Sequence, residues 1–380
     1  NADAGAGRSG WRDFIARFGR VKRFHDAIAD SLDHLRDGLY MRLLNTALRE
    51  RYITVLIFTG LLALVVIWYE SGRIDLTWRP EIPGNRVDAE LQMPVDASFG
   101  ETLGVVGESG CGKSTLSRAI LGLVRPNRGR VMWRDENLTE LEEEAMRQRR
   151  KDLQIVFQDP VASLDPRMTA GDIIAEPLWT FYPNMDRMQV DERTRGMMKM
   201  VGLLPNQINR YPHEFSGGQR QRIGIARALA CEPDLIVCDE PVSALDVSIQ
   251  AQVLRLLQRL QDSLGVAYLF IGHELGVVRA ISDEIAVMYL GRTVEQAPSA
   301  ELFDNARHAY TRALISAAPI PDPVLERRRR RVILEGDPPN PINPPAGCAF
   351  SPRCPVAIER CHAERPQPQT VGPGHSVSCW

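Results

Sequence analysis

The stretch at 107–115 combines glycines, a lysine and three hydroxyl groups in a pattern that binds phosphate. It follows the strand-like run Thr102–Val106 and precedes a helical pattern, which is the context that such a loop requires. Glycines let successive backbone N–H groups point inward at a helix N-terminus, a lysine adds positive charge for the β- and γ-phosphates, and a hydroxyl can bind Mg²⁺. The predicted phosphate-binding residues are Gly107, Glu108, Ser109, Gly110, Cys111, Gly112, Lys113, Ser114 and Thr115.

A second apolar run, Leu235–Cys238, ends in two carboxylates, Asp239 and Glu240. In doubly wound α/β sheets, ligands bind beyond the carboxyl ends of the strands, so both acids should face the same ligand. We expect Asp239 to hold Mg²⁺ and Glu240 to polarise the attacking water. An apolar run that ends in acids is weak evidence alone, and it becomes strong evidence beside the phosphate loop.

The sequence FSGGQ at 215–219 opens a helical pattern. Ser216 is a good N-cap, so the simplest interpretation is a capped helix start. The same exposed N–H groups and hydroxyl could instead face a γ-phosphate.

Together these motifs resemble the nucleotide-binding domain of ATP-binding-cassette (ABC) transporters, in which FSGGQ corresponds to the family's LSGGQ-type sequence. The resemblance implies an α/β fold, a P-loop NTPase domain with a helical subdomain. It matches Gln158 to the Q-loop, which senses Mg²⁺ and couples to the membrane subunit, and His273 to the switch histidine. Gly272 and Glu274 flank this histidine where the family usually has Ser and Asp.

The resemblance also implies a role for each site residue and a second ATPase subunit. Two such domains pair head to tail, and each binds ATP between its own phosphate loop and the partner's Ser216–Gln219 segment. The partner would be a second copy or a related chain. The implied catalytic residues are Glu240, His273, Gln158 and Lys113; the implied Mg²⁺ contacts are Ser114, Gln158 and Asp239; the further nucleotide contacts are Ser216, Gly217, Gly218, Gln219 and, in the D-loop at 243–246, Asp246.

Three stretches outside these motifs resemble one branch of the family, the ATP-binding subunits of oligopeptide, dipeptide and nickel importers. They lie at 161–178, 308–319 and 336–361. The branch implies two permease subunits and an extracytoplasmic peptide-binding protein as partners, and a peripheral position on the cytoplasmic face of the inner membrane. Peptide is favoured over nickel on family size alone. A non-transport ABC ATPase of the DNA-repair or translation type is disfavoured, because those proteins carry long coiled-coil insertions or two cassettes.

The last 62 residues hold 13 of the 26 prolines and four of the seven cysteines. Such a stretch builds few helices and needs something besides a core to hold it together. Cys348, Cys354, Cys361 and Cys379 could hold a [4Fe–4S] cluster or zinc, or they could be unligated. The spacing is not that of an ordinary zinc ribbon, and the importer resemblance favours the iron–sulfur cluster.

The first 100 residues look unlike the rest. Residues 52–69 are 18 residues without a charge, which as a helix would just cross a membrane, so we expect a single transmembrane span there. Residues 24–100 resemble a fragment of a resistance–nodulation–division efflux permease, and they stand where the cassette's first strands and adenine-stacking aromatic residue belong. One hypothesis is therefore a chimera joined near 97–101, and an efflux-permease fragment is the rival interpretation of the chain.

Composition is consistent with these assignments. The chain has 380 residues, 44% of them hydrophobic, and 46 basic residues balance 48 acidic ones, so no global basic charge favours nucleic acid as a partner. The expected order is an N-terminal segment at 1–100, an ABC ATPase domain at 101–318 with its helical subdomain at about 160–228, and a small Pro/Cys-rich lobe at 319–380.

Overall fold

The computed structural model describes residues 46, 48–50, 52–53, 59–60, 100–126, 128–318, 332, 334–341 and 343–380. The chain divides into two compact units, Asn1–Ile82 and Pro83–Trp380, and nearly all described residues belong to the second. The predicted membrane span at 52–69 lies mostly outside the described residues, as does most of the segment at 24–100. Within the described ranges, no helix is long and apolar enough to cross a membrane. The α/β architecture predicted for the cassette is confirmed.

The second unit is built on one mixed sheet. The strands are β1 (Thr102–Val106), β2 (Met132–Trp133), β3 (Glu136–Asn137), β4 (Leu153–Val156), β5 (Leu235–Asp239), β6 (Ala267–Gly272), β7 (Glu284–Tyr289), β8 (Arg292–Pro298), β9 (Gln369–Gly372) and β10 (His375–Val377). Five of them in the order β4-β5-β6-β1-β7 are parallel, and β8, β10 and β9 continue the sheet in antiparallel fashion. A separate hairpin joins β2 to β3.

The parallel strands have an apolar core on each face. Every residue of β1 and of β5 is buried, as expected for strands covered on both sides. Alternate residues enter different clusters: Ile236 packs into the larger one, while Leu235 and Val237 pack into the smaller one. The sheet is therefore the middle layer of three, with helices above and below it.

Helices connect the strands and cover both faces. α3 (Ala170–Phe181), α4 (Arg187–Met200) and α5 (Gly217–Leu229) lie between β4 and β5 along the chain. The sequence predicts a helical subdomain at about 160–228 here, and its boundaries stay a prediction. Each of the three begins with a capping box, so the local sequence fixes where these helices start. The helices are α1 (Lys113–Ile120), α2 (Glu143–Arg149), α3 (Ala170–Phe181), α4 (Arg187–Met200), α5 (Gly217–Leu229), α6 (Val247–Leu264), α7 (Leu275–Ile281), α8 (Ser299–Asn305), α9 (Ala309–Ala317) and α10 (Glu359–Ala363).

The C-terminal segment joins the same sheet. The hairpin of β9 and β10 pairs with β8, and the fully buried Glu295 of β8 accepts hydrogen bonds from the backbone N–H groups of Arg307 and His308. The ring of His375 in β10 lies 2.9 Å from the same carboxylate. Phe350 is 1% exposed and packs against Tyr310 of α9. Sheet pairing and a buried aromatic side chain therefore hold this proline-rich segment in place. The sequence predicts instead that the segment depends on its cysteines.

Candidate functional site

Strand register brings the predicted catalytic segments to one edge of the sheet. Val105 of β1 pairs with Ile271 of β6, and Asp239 of β5 pairs with the same Ile271. The three strands therefore end at one level. The phosphate loop, the Asp239–Glu240 pair and His273 all lie at or just beyond this edge, as expected for ligand binding in an α/β sheet.

The phosphate loop takes a backbone path that requires glycine. Gly110 and Gly112 have φ angles of +82° and +103°, in the left-handed region that side chains rarely adopt. At Gly107 a Cβ atom would meet the carbonyl oxygen of Met288 in β7. The loop leads directly into α1, whose N-terminal N–H groups form the predicted anion-binding end.

Lys113 is 5% exposed and folds back over the loop. Its Nζ atom donates to the carbonyl oxygens of Gly107 at 2.7 Å and Glu108 at 3.1 Å. The ammonium group is thus held inside the curl of the loop, where a phosphate would meet it. Burial raises the pKa of the neighbouring Cys111 thiol, which keeps that thiol uncharged.

Ser114 and Asp239 form a pair of oxygen ligands across the sheet edge. The Ser114 hydroxyl donates to Oδ1 of Asp239 over 3.2 Å. Burial raises the pKa of the Asp239 carboxyl, and the Ser114 hydrogen bond opposes that effect. Hydroxyl and carboxylate oxygens are the donors that Mg²⁺ prefers, so these residues fit the predicted ion.

Glu240 stands at the centre of the predicted catalytic group. Its Oε2 atom accepts a hydrogen bond from Nε2 of Gln158 at 3.0 Å and lies 3.1 Å from Nδ1 of His273. Its backbone has a φ of +48°, and its N–H donates to the carbonyl oxygen of Ile271. Strain of this kind is found where the surrounding structure fixes a residue for function.

The FSGGQ segment at 215–219 leads into α5. Phe215 is buried in the core, and the residues that follow it reach the surface. Ser216 and Gln219 form a capping box, with Ser216 N–H donating to Oε1 of Gln219 at 3.0 Å. Ser216 and Gly217 are exposed, and so is Asp246, the N-cap of α6. A Cβ on Gly218 would meet Ile249 at 2.5 Å, so the N-termini of α5 and α6 approach closely. The predicted contacts of this segment with nucleotide stay a prediction.

The four tail cysteines lie near one another. They are free and partly buried, and the N–H of Cys348 donates to the carbonyl oxygen of Cys361 at 2.8 Å. Burial raises the pKa of the Cys379 thiol, and the charges of Cys348, Cys354 and Cys361 raise it further. Nevertheless, within the described residues no group of three or more Cys, His, Asp or Glu side chains is arranged to hold a metal ion. The predicted iron–sulfur or zinc site therefore lacks support: these thiols influence one another without the geometry of a ligand set.

Two residues that the sequence does not single out touch the phosphate loop. Tyr310 of α9 accepts a hydrogen bond from the N–H of Glu108, and Arg353 donates to the Glu108 carboxylate. Both lie inside stretches that resemble the importer branch, at 308–319 and 336–361. The importer resemblance therefore includes Tyr310 and Arg353, but it assigns no role to either residue.

Two known protein families match different parts of the chain. Residues 92–243 match the family described as ABC transporter, and residues 294–361 match the one described as oligopeptide/dipeptide transporter, C-terminal region. The oligopeptide transport ATP-binding protein OppF of Escherichia coli is 60% identical over 283 residues, covering 74% of this chain and 84% of that protein. OppF of Haemophilus influenzae is 55% identical over 76% of this chain and 88% of its own length.

Among solved structures, cbiO1 from Clostridium perfringens, part of the ABC transporter complex cbiONQ, is 26% identical with a TM-score of 0.50. The match covers 54% of this chain and 80% of that one. None of these similarities supports the resemblance of residues 24–100 to an efflux permease. The ABC transporter match begins at residue 92, before the predicted junction near 97–101.

Proposed function

The chain belongs to the family of ATP-binding subunits of oligopeptide ABC importers, and from that premise we propose which residues bind and hydrolyse ATP. Glu240 orients and polarises the attacking water, and Gln158 and His273 hold its carboxylate in place. The single observation that carries this proposal is the Glu240 Oε2 atom, which both neighbours approach within 3.1 Å. A carboxylate that is oriented by two neighbours at one oxygen is pre-organised to accept a proton from water.

The phosphate loop and the Ser114–Asp239 pair would hold the nucleotide. Lys113 neutralises the β- and γ-phosphates, and the N–H groups at the start of α1 point toward them. Ser114 and Asp239 would bind Mg²⁺, which supplies charge neutralisation at the transferred phosphoryl group. Gln158 lies beside Glu240, and it would report the occupancy of this site to the membrane subunit.

We propose that the site is completed by a second ATPase subunit, either another copy or a related chain. The exposure of Ser216, Gly217 and Asp246 supports this, because these residues are the ones expected to act on a partner's nucleotide. α5 has thirteen residues, and its capped N-terminal turn is exposed at Ser216 and Gly217, so the positive end of the helix dipole is accessible to an anion. A subunit alone would then hydrolyse ATP slowly.

The transport partners follow from the same premise. We propose two permease subunits, an extracytoplasmic peptide-binding protein and a peripheral position on the cytoplasmic face of the inner membrane. Relatives described as oligopeptide transport ATP-binding proteins support peptide as the cargo rather than nickel. Phe157 and Val161, on either side of Gln158, are exposed apolar side chains that a permease subunit would cover.

Mixing two defective variants tests the site and the pairing together. Lys113→Ala disables the phosphate loop and Ser216→Arg disables the segment expected to act in trans, so each variant alone should be nearly inactive. In a mixed dimer one site regains both intact parts, and the mixture should recover a substantial fraction of wild-type ATP hydrolysis. If the mixture stays inactive although the two chains co-purify as a mixed dimer, the proposed arrangement is wrong.

Cargo is tested in membranes that contain this chain together with its permease subunits. ATP-dependent uptake of a labelled tripeptide, abolished by Glu240→Gln, is the expected result. Uptake of labelled Ni²⁺ instead of the tripeptide would contradict the proposed cargo. A matched measurement without the extracytoplasmic binding protein tests whether that partner is required.

A further inference from the structure

Glu108, the second residue of the phosphate loop, is held by two side chains from the far end of the chain. Its backbone N–H donates to the hydroxyl oxygen of Tyr310 at 2.9 Å. Its carboxylate accepts a hydrogen bond from Nη1 of Arg353, also at 2.9 Å. Tyr310 belongs to α9 and Arg353 to a short 3₁₀ helix, Ser351–Arg353, in the C-terminal lobe. The phosphate loop is therefore tied to a segment outside the residues that match the ABC transporter family.

Both anchors are themselves fixed by packing. Tyr310 is fully buried, and the side chain of Arg353 is 8% exposed. The rings of Tyr289, Tyr310 and Phe350 contact one another with centroids 4.7–5.4 Å apart. Because Phe350 directly precedes the 3₁₀ helix, this aromatic cluster sets where the Arg353 guanidinium lies. A guanidinium held in this way loses little freedom when it pairs with a carboxylate.

The position of Glu108 reaches the phosphate-binding lysine. The Glu108 carbonyl oxygen accepts a hydrogen bond from Nζ of Lys113 at 3.1 Å. Glu108 thus connects Arg353 and Tyr310 with the buried ammonium group of Lys113. A shift of Glu108 would move an acceptor that holds this ammonium in the loop.

Charge gives Arg353 a second effect on the same loop. The Glu108 carboxylate is only 30% exposed, and it lies in the loop that would surround a triphosphate. An unpaired carboxylate there would repel the phosphates, and partial burial would make that repulsion stronger than in water. The guanidinium of Arg353 cancels this charge through a charge-assisted hydrogen bond.

We propose that Arg353, supported by Tyr310, is a positioning residue of the nucleotide site, which sets the affinity for ATP by holding and neutralising Glu108. The C-terminal lobe is then part of the machinery that binds nucleotide. This inference rests on the proposed phosphate site and adds to it a residue that acts through Glu108. Loss of Arg353 or Tyr310 should therefore change ATP binding rather than hydrolysis, since both side chains bond to Glu108 and not to the group of Glu240, Gln158 and His273.

The test compares six variants by equilibrium binding of a fluorescent ATP analogue and by ATP hydrolysis. Arg353→Met should weaken binding and raise the KM for ATP by about tenfold, the scale of a lost hydrogen bond to a charged group, while kcat changes by less than about twofold. Arg353→Lys should recover part of the affinity, since it keeps the charge. Glu108→Gln combined with Arg353→Met should recover most of it, because no unpaired carboxylate remains.

Arg360→Met is the matched control in the same lobe. Arg360 pairs with Glu364 and stacks on Trp380, and its loss should leave ATP affinity unchanged. If Arg353→Met does not fold, Tyr310→Phe removes only the acceptor of the Glu108 N–H and should weaken ATP binding without lowering kcat. Normal affinity in the folded variant, a fall in kcat at unchanged KM, or a double variant no better than Arg353→Met overturns the proposal.

Lys113→Ala separates this inference from the proposed function. If Lys113→Ala binds the analogue as tightly as wild type, the phosphate site itself has been misassigned. If Lys113→Ala loses binding while Arg353→Met and Tyr310→Phe bind normally, the phosphate site stands and the role of Arg353 does not.

Discussion

His273 places its Nδ1 atom 3.1 Å from Oε2 of Glu240. The pairing of β5 with β6 produces this contact, because Asp239 is in register with Ile271 and each strand then continues by one or two residues to the catalytic side chain. A carboxylate oxygen can only accept, so the ring makes a hydrogen bond here when its proton is on Nδ1, and Nδ1–H then donates to Glu240. A histidine that touches the carboxylate but not the phosphate loop is suited to orient Glu240.

Replacing Glu240 with Gln should separate ATP hydrolysis from ATP binding. The amide keeps the size of the side chain but cannot accept a proton, so turnover should fall by about 10²–10⁴-fold with little change in ATP affinity. Glu274→Gln is the control, because this exposed acid lies 3.9 Å from the other ring nitrogen of His273 and should matter little. Turnover of Glu240→Gln within tenfold of wild type would exclude the assigned role.

Replacing Ser114 with Ala should raise the Mg²⁺ concentration needed for half-maximal ATP hydrolysis. The variant removes the hydroxyl that faces Asp239, and losing one partner of a metal site costs on the order of tenfold in affinity or more. Ser117→Ala is the matched control, since its hydroxyl donates to the Ser114 carbonyl oxygen and does not face Asp239. Equal shifts in the two Mg²⁺ titrations would argue against a Mg²⁺ site at Ser114.

Acidification should destabilise the fold through His308. Burial lowers the pKa of His308 from 6.5 to about 4, although the charge of Glu295 opposes this effect. Below pH 6.5 the unfolded chain binds a proton that the folded chain excludes until about pH 4. The stabilisation is therefore complete above pH 6.5 and is lost as the pH falls toward 4, by about 3 kcal/mol in all.

His308→Asn isolates this contribution. His308 caps α9 by accepting the N–H of Tyr310 at Nδ1, and Asn can cap a helix without titrating. The free energy of unfolding of wild type should fall relative to that of the variant between pH 7.5 and pH 4.5. Denaturant titrations that give parallel curves over this range would show that His308 does not titrate as inferred.

Local sequence predicts most of the catalytic edge, because interactions between residues close in sequence determine the conformation of its segments. The glycines at 110 and 112 allow the positive φ angles of the phosphate loop, the apolar run before Asp239 is typical of a buried strand, and Ser216 with Gln219 encodes a helix start. Each of these features needs no knowledge of the rest of the chain. The meeting of Gln158, Glu240 and His273 was foreseen only through the family resemblance, because it depends on strand order.

Long-range contacts were beyond prediction from the residues. Arg353 reaches Glu108 across 245 positions, and nothing in either local sequence identifies the partner. The tail was expected to depend on its cysteines, whereas its hairpin extends the main sheet and Phe350 fills a buried aromatic cluster. Proline content argues against long helices in the tail, but it does not indicate which edge strand is available for pairing.

Two adjacent glycines at the start of α5 should respond in opposite directions to alanine. At Gly217 a Cβ would lie 3.6 Å from the Leu245 side chain, an ordinary contact, and at Gly218 it would lie 2.5 Å from Cγ2 of Ile249. Ile249 is β-branched and sits in the first turn of α6, so its χ1 cannot move the methyl group away at low cost. Gly218→Ala should therefore destabilise the chain by about 1–3 kcal/mol, as overpacking typically does.

Gly217→Ala should leave the free energy of unfolding unchanged or raise it by up to about 1 kcal/mol, since alanine restricts the unfolded chain and meets no clash. Because both glycines belong to the segment proposed to act on a partner's nucleotide, the measurement is denaturant unfolding rather than ATP hydrolysis. Combining Gly218→Ala with Ile249→Ala removes the colliding methyl group and should make the cost of the glycine substitution smaller than in the wild-type background. Equal effects at the two glycines, or an undiminished cost in the double variant, would show that the close approach of α5 to α6 does not constrain position 218.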